Sequence, residues 1–140
     1  MKSILLSILL ITSCLCCNKD ETLKPSLQIK PIVGIWKLSE IQIIDGRDKR
    51  WQQVPYYKEN DIEVRSDGVF LDYKGQKLCC HPKELKINNS LEQVNNYIKI
   101  RDNATCSTSC VSCQVWTIES REGEMILTGC LETDVKKYIR

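Results

Sequence analysis

"VGIWKLSEIQII", residues 33 to 44, is the stretch that decides the fold class. It is rich in β-branched and aromatic residues, and these alternate roughly with polar ones, which is typical of a strand with one buried face. No window of the sequence has a convincing helical period. The stretch therefore predicts a long first strand and an all-β fold.

Shorter alternating segments follow this strand and are separated by turn residues. Two pairs of segments predict hairpins, residues 61–65 with 69–73 and residues 114–120 with 125–130. Single strands are expected at residues 84–88, 96–101 and 135–140, while residues 90–94 are compatible with one helical turn. Short strands with tight turns predict a small antiparallel up-and-down β-barrel of about eight strands, or a sandwich.

Large apolar side chains on these strands are candidates for the interior of the barrel. A barrel of this size is just wide enough to be filled by side chains or to hold one small ligand, and core packing is the favoured role for most of them. The candidates are Trp36, Leu38, Ile41, Ile43, Ile62, Val64, Leu71, Leu85, Ile87, Ile98, Ile100, Trp116, Ile118 and Leu127.

A long connection, residues 45 to 60, carries three aromatic residues that are expected to lie outside any strand. These are Trp51, Tyr56 and Tyr57. Aromatic residues in such a loop cap the end of a barrel or face a partner, and long loops are often functional. We expect capping first; if the barrel binds a ligand, these three residues form the lip of the site.

The first residues have the three parts of a secretory signal. A basic start is followed by an apolar run, residues 4 to 11, that is too short to cross a bilayer. The next residues, Thr12 and Ser13, are small. The tetrapeptide at residues 11–14 resembles the bacterial lipobox, which implies cleavage before Cys14 and attachment of lipid to its sulfur. An ordinary signal peptide is the alternative, and Cys17 is a weaker candidate for the anchor.

The lipobox divides the chain into three parts. Residues 1–13 are expected to be a lipoprotein signal peptide, residues 14–30 a lipidated N terminus with a polar tether, and residues 31–140 one β domain. The protein is then an outer-membrane lipoprotein of the bacterial cell envelope that contacts the membrane through Cys14. Its periplasmic or surface location stays open.

A resemblance to a known family begins at Gly34 and Trp36. A Gly-x-Trp at the start of the first strand is similar to the lipocalin-like (calycin) group. "GIWKLSEI", "IEVRSDGVF" and "WTIESREGEMIL" resemble the small lipocalin-like lipoproteins of Bacteroidota. The resemblance implies that Gly34 lets the chain bend, that Trp36 closes one end of the core, and that Arg140 or Lys137 packs over the indole. A META-type β domain is the alternative fold.

Six of the nine cysteines lie in the predicted β domain: Cys79, Cys80, Cys106, Cys110, Cys113 and Cys130. Export favours structural disulfides, and Cys79 and Cys80 are expected to pair with the 106–113 loop or with Cys130. A thiolate metal site that includes His81 is one alternative. A redox C-x-x-C at residues 110–113 is another. We predict disulfides, without a metal or a cofactor.

Composition narrows the function. With 20 basic and 18 acidic residues, interspersed along the chain, there is no basic patch for nucleic acid. The single histidine argues against most triads that need a positioned base, so we do not expect an enzyme. Two classes remain: a binding module for a small apolar ligand or a protein partner, and a structural envelope lipoprotein whose filled barrel binds only other proteins.

Overall fold

A computed structural model describes residue 26, residues 28–94 and residues 114–140. This part of the chain is all-β and contains no α-helix, which confirms the predicted class. Single 3-10 turns lie at Lys30–Ile32 and Lys58–Asn60. The strands are β1 (Gly34–Asp45), β2 (Asp48–Gln53), β3 (Ile62–Val64), β4 (Phe70–Asp72), β5 (Glu84–Ile87), β6 (Ser90–Gln93), β7 (Val115–Arg121), β8 (Glu124–Thr128) and β9 (Val135–Ile139).

All nine strands form one sheet that curls into a half-barrel. Its order is β4-β3-β1-β9-β8-β7-β5-β6, with β2 on a separate branch from β1. Within the described residues, β4 and β6 are the two ends of this order, so the sheet is open there. The predicted antiparallel up-and-down barrel is therefore wrong in two respects, because the sheet is mixed and is not closed by these strands.

The parallel pair, β5 with β7, follows from a turn that the sequence analysis missed. Asn88 and Asn89 both have positive φ, 46° and 74°, as a two-residue hairpin turn requires. This turn folds β6 back onto one edge of β5, and β7 takes the other edge in the same direction as β5. The helical turn considered for residues 90–94 is wrong, since β6 occupies that position.

The first strand has two partners along one edge. Its start pairs with β3 and its second half pairs with β2. The turn between β1 and β2 is Asp45-Gly46-Arg47-Asp48, with Gly46 at φ 66°. The connection predicted at residues 45–60 is thus partly a strand. Every residue of β2 is exposed, so hydrophobic alternation gave no sign of it.

The core covers the inner face of the half-barrel. Nine of the predicted interior residues are buried: Trp36, Ile62, Val64, Leu71, Leu85, Ile87, Trp116, Ile118 and Leu127. Leu38, Ile41 and Ile43 are partly exposed, and Ile98 and Ile100 lie outside the described residues. The sequence analysis missed Ile29, Ile32, Val69, Phe70, Met125 and Tyr138. Ile29, which precedes the predicted domain boundary at residue 31, also belongs to this core.

No helix in residues 28–94 or 114–140 is long and apolar enough to cross a membrane. The predicted signal peptide and Cys14 lie outside the described residues, as does most of the tether.

Candidate functional site

One end of the inner face is closed by Trp36. This side chain is fully buried, and its Nε1 donates to the carbonyl of Ile32 at 2.7 Å. The Arg140 guanidinium lies 4.3 Å from the ring centroid, and its Nη2 donates to the carbonyls of Pro31 and Val33 at 2.9 Å. The expected contact of Arg140 with Trp36 is therefore present. Lys137, the other candidate, lies over the Trp51 ring instead.

The backbone at Gly34 fits this closure. Its φ is 131°, a region that side chains rarely adopt, and a Cβ there would lie 3.9 Å from Arg140 Nη2. Gly34 thus lets the strand begin beneath the arginine in a conformation that would be strained for a residue with a side chain.

The opposite end of the inner face contains a cavity of about 560 Å³. Its walls come from the segment before β5, from the inner faces of β7, β8 and β9, and from the loop between β8 and β9. Apolar and aromatic side chains dominate the lining. The lining residues are Leu78, Cys79, Cys80, Trp116, Leu127, Gly129, Cys130, Leu131, Asp134, Lys136 and Tyr138.

One ion pair lies at the edge of this cavity. Lys136 is opposite Leu127 in the β8–β9 pairing and two residues from the buried Tyr138, so strand alternation directs it to the inner face. Its Nζ lies 2.9 Å from Asp134 Oδ1. The loop that carries Asp134 is closed by a hydrogen bond from Gly129 N to the Asp134 carbonyl at 2.9 Å. The lysine charge is thus neutralised locally.

Trp116 is the largest side chain in the cavity wall. It is only 8% exposed. Phe70 contacts it edge-on, with 5.3 Å between ring centroids, and the His81 ring is stacked on it at 6.3 Å. Its Nε1 is buried and has no hydrogen-bond partner among the described residues. A buried donor without a partner is unusual, because it loses its hydrogen bond to water.

Tyr138 lies in the same wall. Burial, reinforced by the negative charge of Asp134, raises the pKa of its hydroxyl well above the usual value of 10.0. The phenol therefore stays neutral at ordinary pH. The cavity offers a ligand neutral polar groups and one compensated ion pair.

His81 holds the segment before β5 against the sheet. Its Nε2 accepts from the Phe70 N–H at 3.0 Å, and its Nδ1 donates to the Pro82 carbonyl at 2.7 Å. Burial lowers the pKa of this ring from 6.5 to about 4. His81 is partly buried. Both ring nitrogens bond to backbone, so coordination of a metal would have to break one of these bonds.

The predicted lip does not assemble into one site. Trp51 lies on β2, where Lys137 Nζ is 4.7 Å from its ring and also pairs with Glu40 at 3.0 Å. Tyr56 lines a shallow groove of about 360 Å³ with Leu38 and Ile139. Tyr57 is 59% exposed. None of the three aromatic residues lines the larger cavity.

Asp61 lies directly before β3. Its side chain is buried, and its Oδ2 accepts from the Tyr56 hydroxyl at 3.1 Å. This hydrogen bond raises the pKa of Tyr56. The contact fixes Tyr56 against the chain that enters β3.

The cysteines divide into three groups. Cys79 and Cys80 are disulfide-bonded, although no disulfide joins two cysteines of the described residues. Cys106, Cys110 and Cys113 lie outside these residues. Cys130 is free and exposed, which corrects its predicted disulfide. Its position in the exposed β8–β9 loop leaves the thiol open to solvent.

Sequence reasoning found Trp116 and Leu127 as interior residues but missed the cavity that they line. The alternation of residues 135–140 was the available signal, because it places Lys136 and Tyr138 on the same face. Comparison of the chain with protein-family models, curated proteins and solved structures found no match. The relation to lipocalin-like lipoproteins therefore stays a prediction from the sequence motifs.

Proposed function

We propose that this protein is a lipid-anchored lipoprotein of the bacterial cell envelope whose β domain is a non-catalytic binding module for a small apolar ligand. The proposed binding site is the cavity at the end of the inner face opposite Trp36, which is called the open end below. Trp51, Tyr56 and Tyr57, which the sequence analysis gave as the lip of a ligand site if one exists, are not part of it.

The single observation that carries this proposal is the cavity itself. A volume of about 560 Å³ falls within the range of small-molecule sites, which are concave, mostly apolar and supplied with a few polar groups. Leu78, Trp116 and Leu127 provide the apolar wall. If side chains filled both ends of the inner face equally, this space would not exist.

Binding of an apolar probe tests the proposal. The full chain carrying Cys14→Ser, purified without detergent, is titrated with propylbenzene and followed by NMR shifts of the Trp116 indole. Leu131 and Leu91 are almost equally exposed, at 62% and 59%, but only Leu131 lines the cavity. Leu131→Arg is expected to weaken binding several-fold, whereas Leu91→Arg leaves it unchanged. Absence of saturable binding, or equal effects of the two variants, would refute the proposal.

The anchor is tested separately. With Cys14 intact, the chain should incorporate labelled palmitate and fractionate with membranes. Cys14→Ser should abolish both, because the thioether needs the sulfur. Label that survives in this variant and disappears in a Cys17 variant would show that Cys17 is the anchor.

A protein partner is the second candidate function. Four exposed apolar side chains favour it: Ile35, Tyr56, Tyr57 and Ile139, of which Tyr56 and Ile139 line the shallow groove. Native mass spectrometry of protein purified from its own host separates the two functions. A co-purifying small apolar mass supports the ligand, and a bound protein without such a mass supports the partner.

A further inference from the structure

We infer that the end of the domain closed by Trp36 lies against the lipid bilayer, through an outer patch formed by Ile35, Lys37, Tyr56 and Ile139. The cavity at the open end then points away from the membrane. This inference rests on the anchor in the proposed function, because the lipid on Cys14 is what brings the domain to a bilayer.

The side chains of the outer patch adjoin one another on the outer face of the sheet. Trp36 is buried on the inner face, so strand alternation turns Ile35 and Lys37 outward. Ile139 is directly opposite Lys37 in the β1–β9 pairing, and the centroid of the Tyr56 ring lies 5.8 Å from Lys37 Nζ. Ile35, Tyr56 and Ile139 are 62%, 59% and 42% exposed. The outer patch is therefore largely apolar and open to solvent.

The chain enters the domain beside this patch. Arg140 directly follows Ile139, which ends β9. Its Nη2 donates to the carbonyls of Pro31 and Val33 at 2.9 Å. These two carbonyls belong to the segment that leads into β1, so this segment lies next to the outer patch.

The expected anchor is a short distance along the chain from this segment. Backbone hydrogen bonds from Ile29 N to Ser26 O and from Ile32 N to Ile29 O hold the entering chain in compact turns. Cys14 precedes Ser26 by 12 residues, which span at most about 40 Å when fully extended. A lipid on Cys14 therefore keeps the outer patch near the bilayer at a high effective concentration, so that a weak contact is sufficient.

The chemistry of the outer patch fits the interface of a zwitterionic bilayer. Tyrosine is enriched at membrane–water interfaces, because its ring is apolar and its hydroxyl is polar. Lys37 is the cation of the patch, and its charge can reach lipid phosphate while its stem lies along apolar surface. Glu63 and Glu124 are directly opposite Ile35 and Ile139, where they match the ammonium groups of zwitterionic lipids. The patch has no excess of positive charge that would favour anionic lipids.

Photocrosslinking of the anchored protein tests this orientation. Mature protein with lipid on Cys14 is reconstituted in phosphatidylcholine vesicles that contain a lipid with a diazirine near its headgroup, and labelled peptides are mapped by mass spectrometry. Crosslinks are expected at the outer patch and not at Leu131, which lines the cavity and is as exposed as Ile35, at 62%.

The outcomes separate the orientation from the anchor. If the protein floats with the vesicles but the outer patch carries no crosslinks, or Leu131 is labelled equally, the inference fails and the anchor stands. The outer patch is then left to a protein partner. If the protein does not float with the vesicles, the anchor is refuted and the inference fails with it.

Partition of the soluble protein isolates the outer patch from the lipid. In the mature chain carrying Cys14→Ser, Ile35→Ser with Ile139→Ser should weaken binding to the same vesicles about tenfold, because two exposed apolar side chains leave the interface. The control pair is Leu91→Ser with Leu131→Ser, at 59% and 62% exposure, and should leave binding unchanged. Addition of an anionic lipid should not strengthen binding. Equal losses in the two pairs, or binding that requires the anionic lipid, would overturn the inference.

Discussion

Each end of the inner face contains a tryptophan, and the two indole rings differ in their hydrogen bonding and packing. At the closed end, Trp36 donates its N–H to Ile32 and is covered by Arg140. At the open end, Trp116 lines a cavity, and its N–H lacks an acceptor among the described residues. The same side chain on the same sheet therefore packs against its neighbours at one end and borders empty space at the other.

This difference shows that the exposed fraction of a side chain does not by itself distinguish a packed residue from one that borders a cavity. Trp36 and Trp116 are 0% and 8% exposed, so both count as core. The state of the indole N–H and the free space beside the ring are what separate them. The Trp36 donor is satisfied in a filled environment, whereas the Trp116 donor has no acceptor among the described residues and its ring borders a cavity.

The largest expected effect concerns the closed end. Trp36→Ala should lower the free energy of unfolding by about 3–5 kcal/mol, the usual range for removing a buried aromatic side chain. Trp116→Ala should cost less, about 2 kcal/mol, because one side of this ring already faces a cavity. Urea denaturation of both variants measures the difference. Equal losses would show that the two ends are packed alike.

The next effect is the pH dependence that His81 brings to the open end. Its pKa is about 4 in the folded protein against 6.5 unfolded, so the unfolded chain binds more protons between these values. Stability from this group is complete above pH 6.5 and is lost as pH falls toward 4. Allowing for partial exposure of the ring, we expect a loss of about 2 kcal/mol.

The measurement is the unfolding free energy at several pH values in the wild type and in His81→Gln, which cannot titrate. The difference between the two curves isolates the histidine from the carboxylates. If the curves run parallel between pH 6.5 and 4, His81 does not hold this end in its neutral form.

The next prediction compares two cation–π pairs, one over a buried ring and one over an exposed ring. Arg140 covers the buried Trp36 and donates to two carbonyls, so Arg140→Met should cost about 1–2 kcal/mol. Lys137 lies over Trp51, which is exposed on β2, and Lys137→Met should cost less than about 1 kcal/mol. Thermal unfolding at low and high salt checks both. A reversed order would mean that the arginine does not close the end.

Replacement of each tryptophan by phenylalanine is expected to lower the free energy of unfolding at Trp36 but not at Trp116. Trp36→Phe removes a satisfied hydrogen bond, leaves the Ile32 carbonyl unpaired and should destabilise by about 2 kcal/mol. Trp116→Phe removes an unpaired donor, so the free protein should be unchanged or more stable by up to about 1 kcal/mol. Denaturation midpoints without ligand give the answer. A loss in Trp116→Phe equal to that in Trp36→Phe would indicate that the Trp116 donor is satisfied.

The smallest effect on stability is predicted for Cys130. As a free and exposed thiol, it should react with iodoacetamide in the native protein without reductant. Cys79 and Cys80 should require reduction first, because they are disulfide-bonded. Cys130→Ser should shift the unfolding free energy by less than about 0.5 kcal/mol. Peptide mapping after alkylation locates the label, and an unlabelled Cys130 would restore its predicted disulfide.

Much of the fold was readable from the sequence because alternation reports which face of a strand is buried. The hairpins β3–β4 and β7–β8, the long strand β1 and the last strand β9 were all expected near their observed positions. The Gly34–Trp36–Arg140 cluster was also expected. These features are local in sequence or carried by a motif, so residue pattern alone determines them.

What was missed has physical reasons that pattern reasoning does not capture. β2 is exposed on both faces and carries no alternation of apolar and polar residues. A glycine directly after Asp45 is nevertheless typical of a hairpin turn. Asn88 and Asn89 adopt the positive φ that reverses the chain into β6, a choice that tertiary pairing supports through bonds between Asn88 and Ser120. The sheet is mixed because β7 then pairs with the other edge of β5 in the parallel direction.

The residue pattern predicted an all-β domain and the residues that alternate toward its interior, and the family resemblance predicted a buried Trp36 covered by Arg140 or Lys137. Only the tertiary structure decided that Trp116, Leu127 and Lys136 surround a cavity. Alternation assigns a face to each residue, but empty space depends on how strands distant in sequence curve around one another. Among the described residues, the lack of an acceptor for the Trp116 N–H has the same cause, because its surroundings are set by neighbours from other strands.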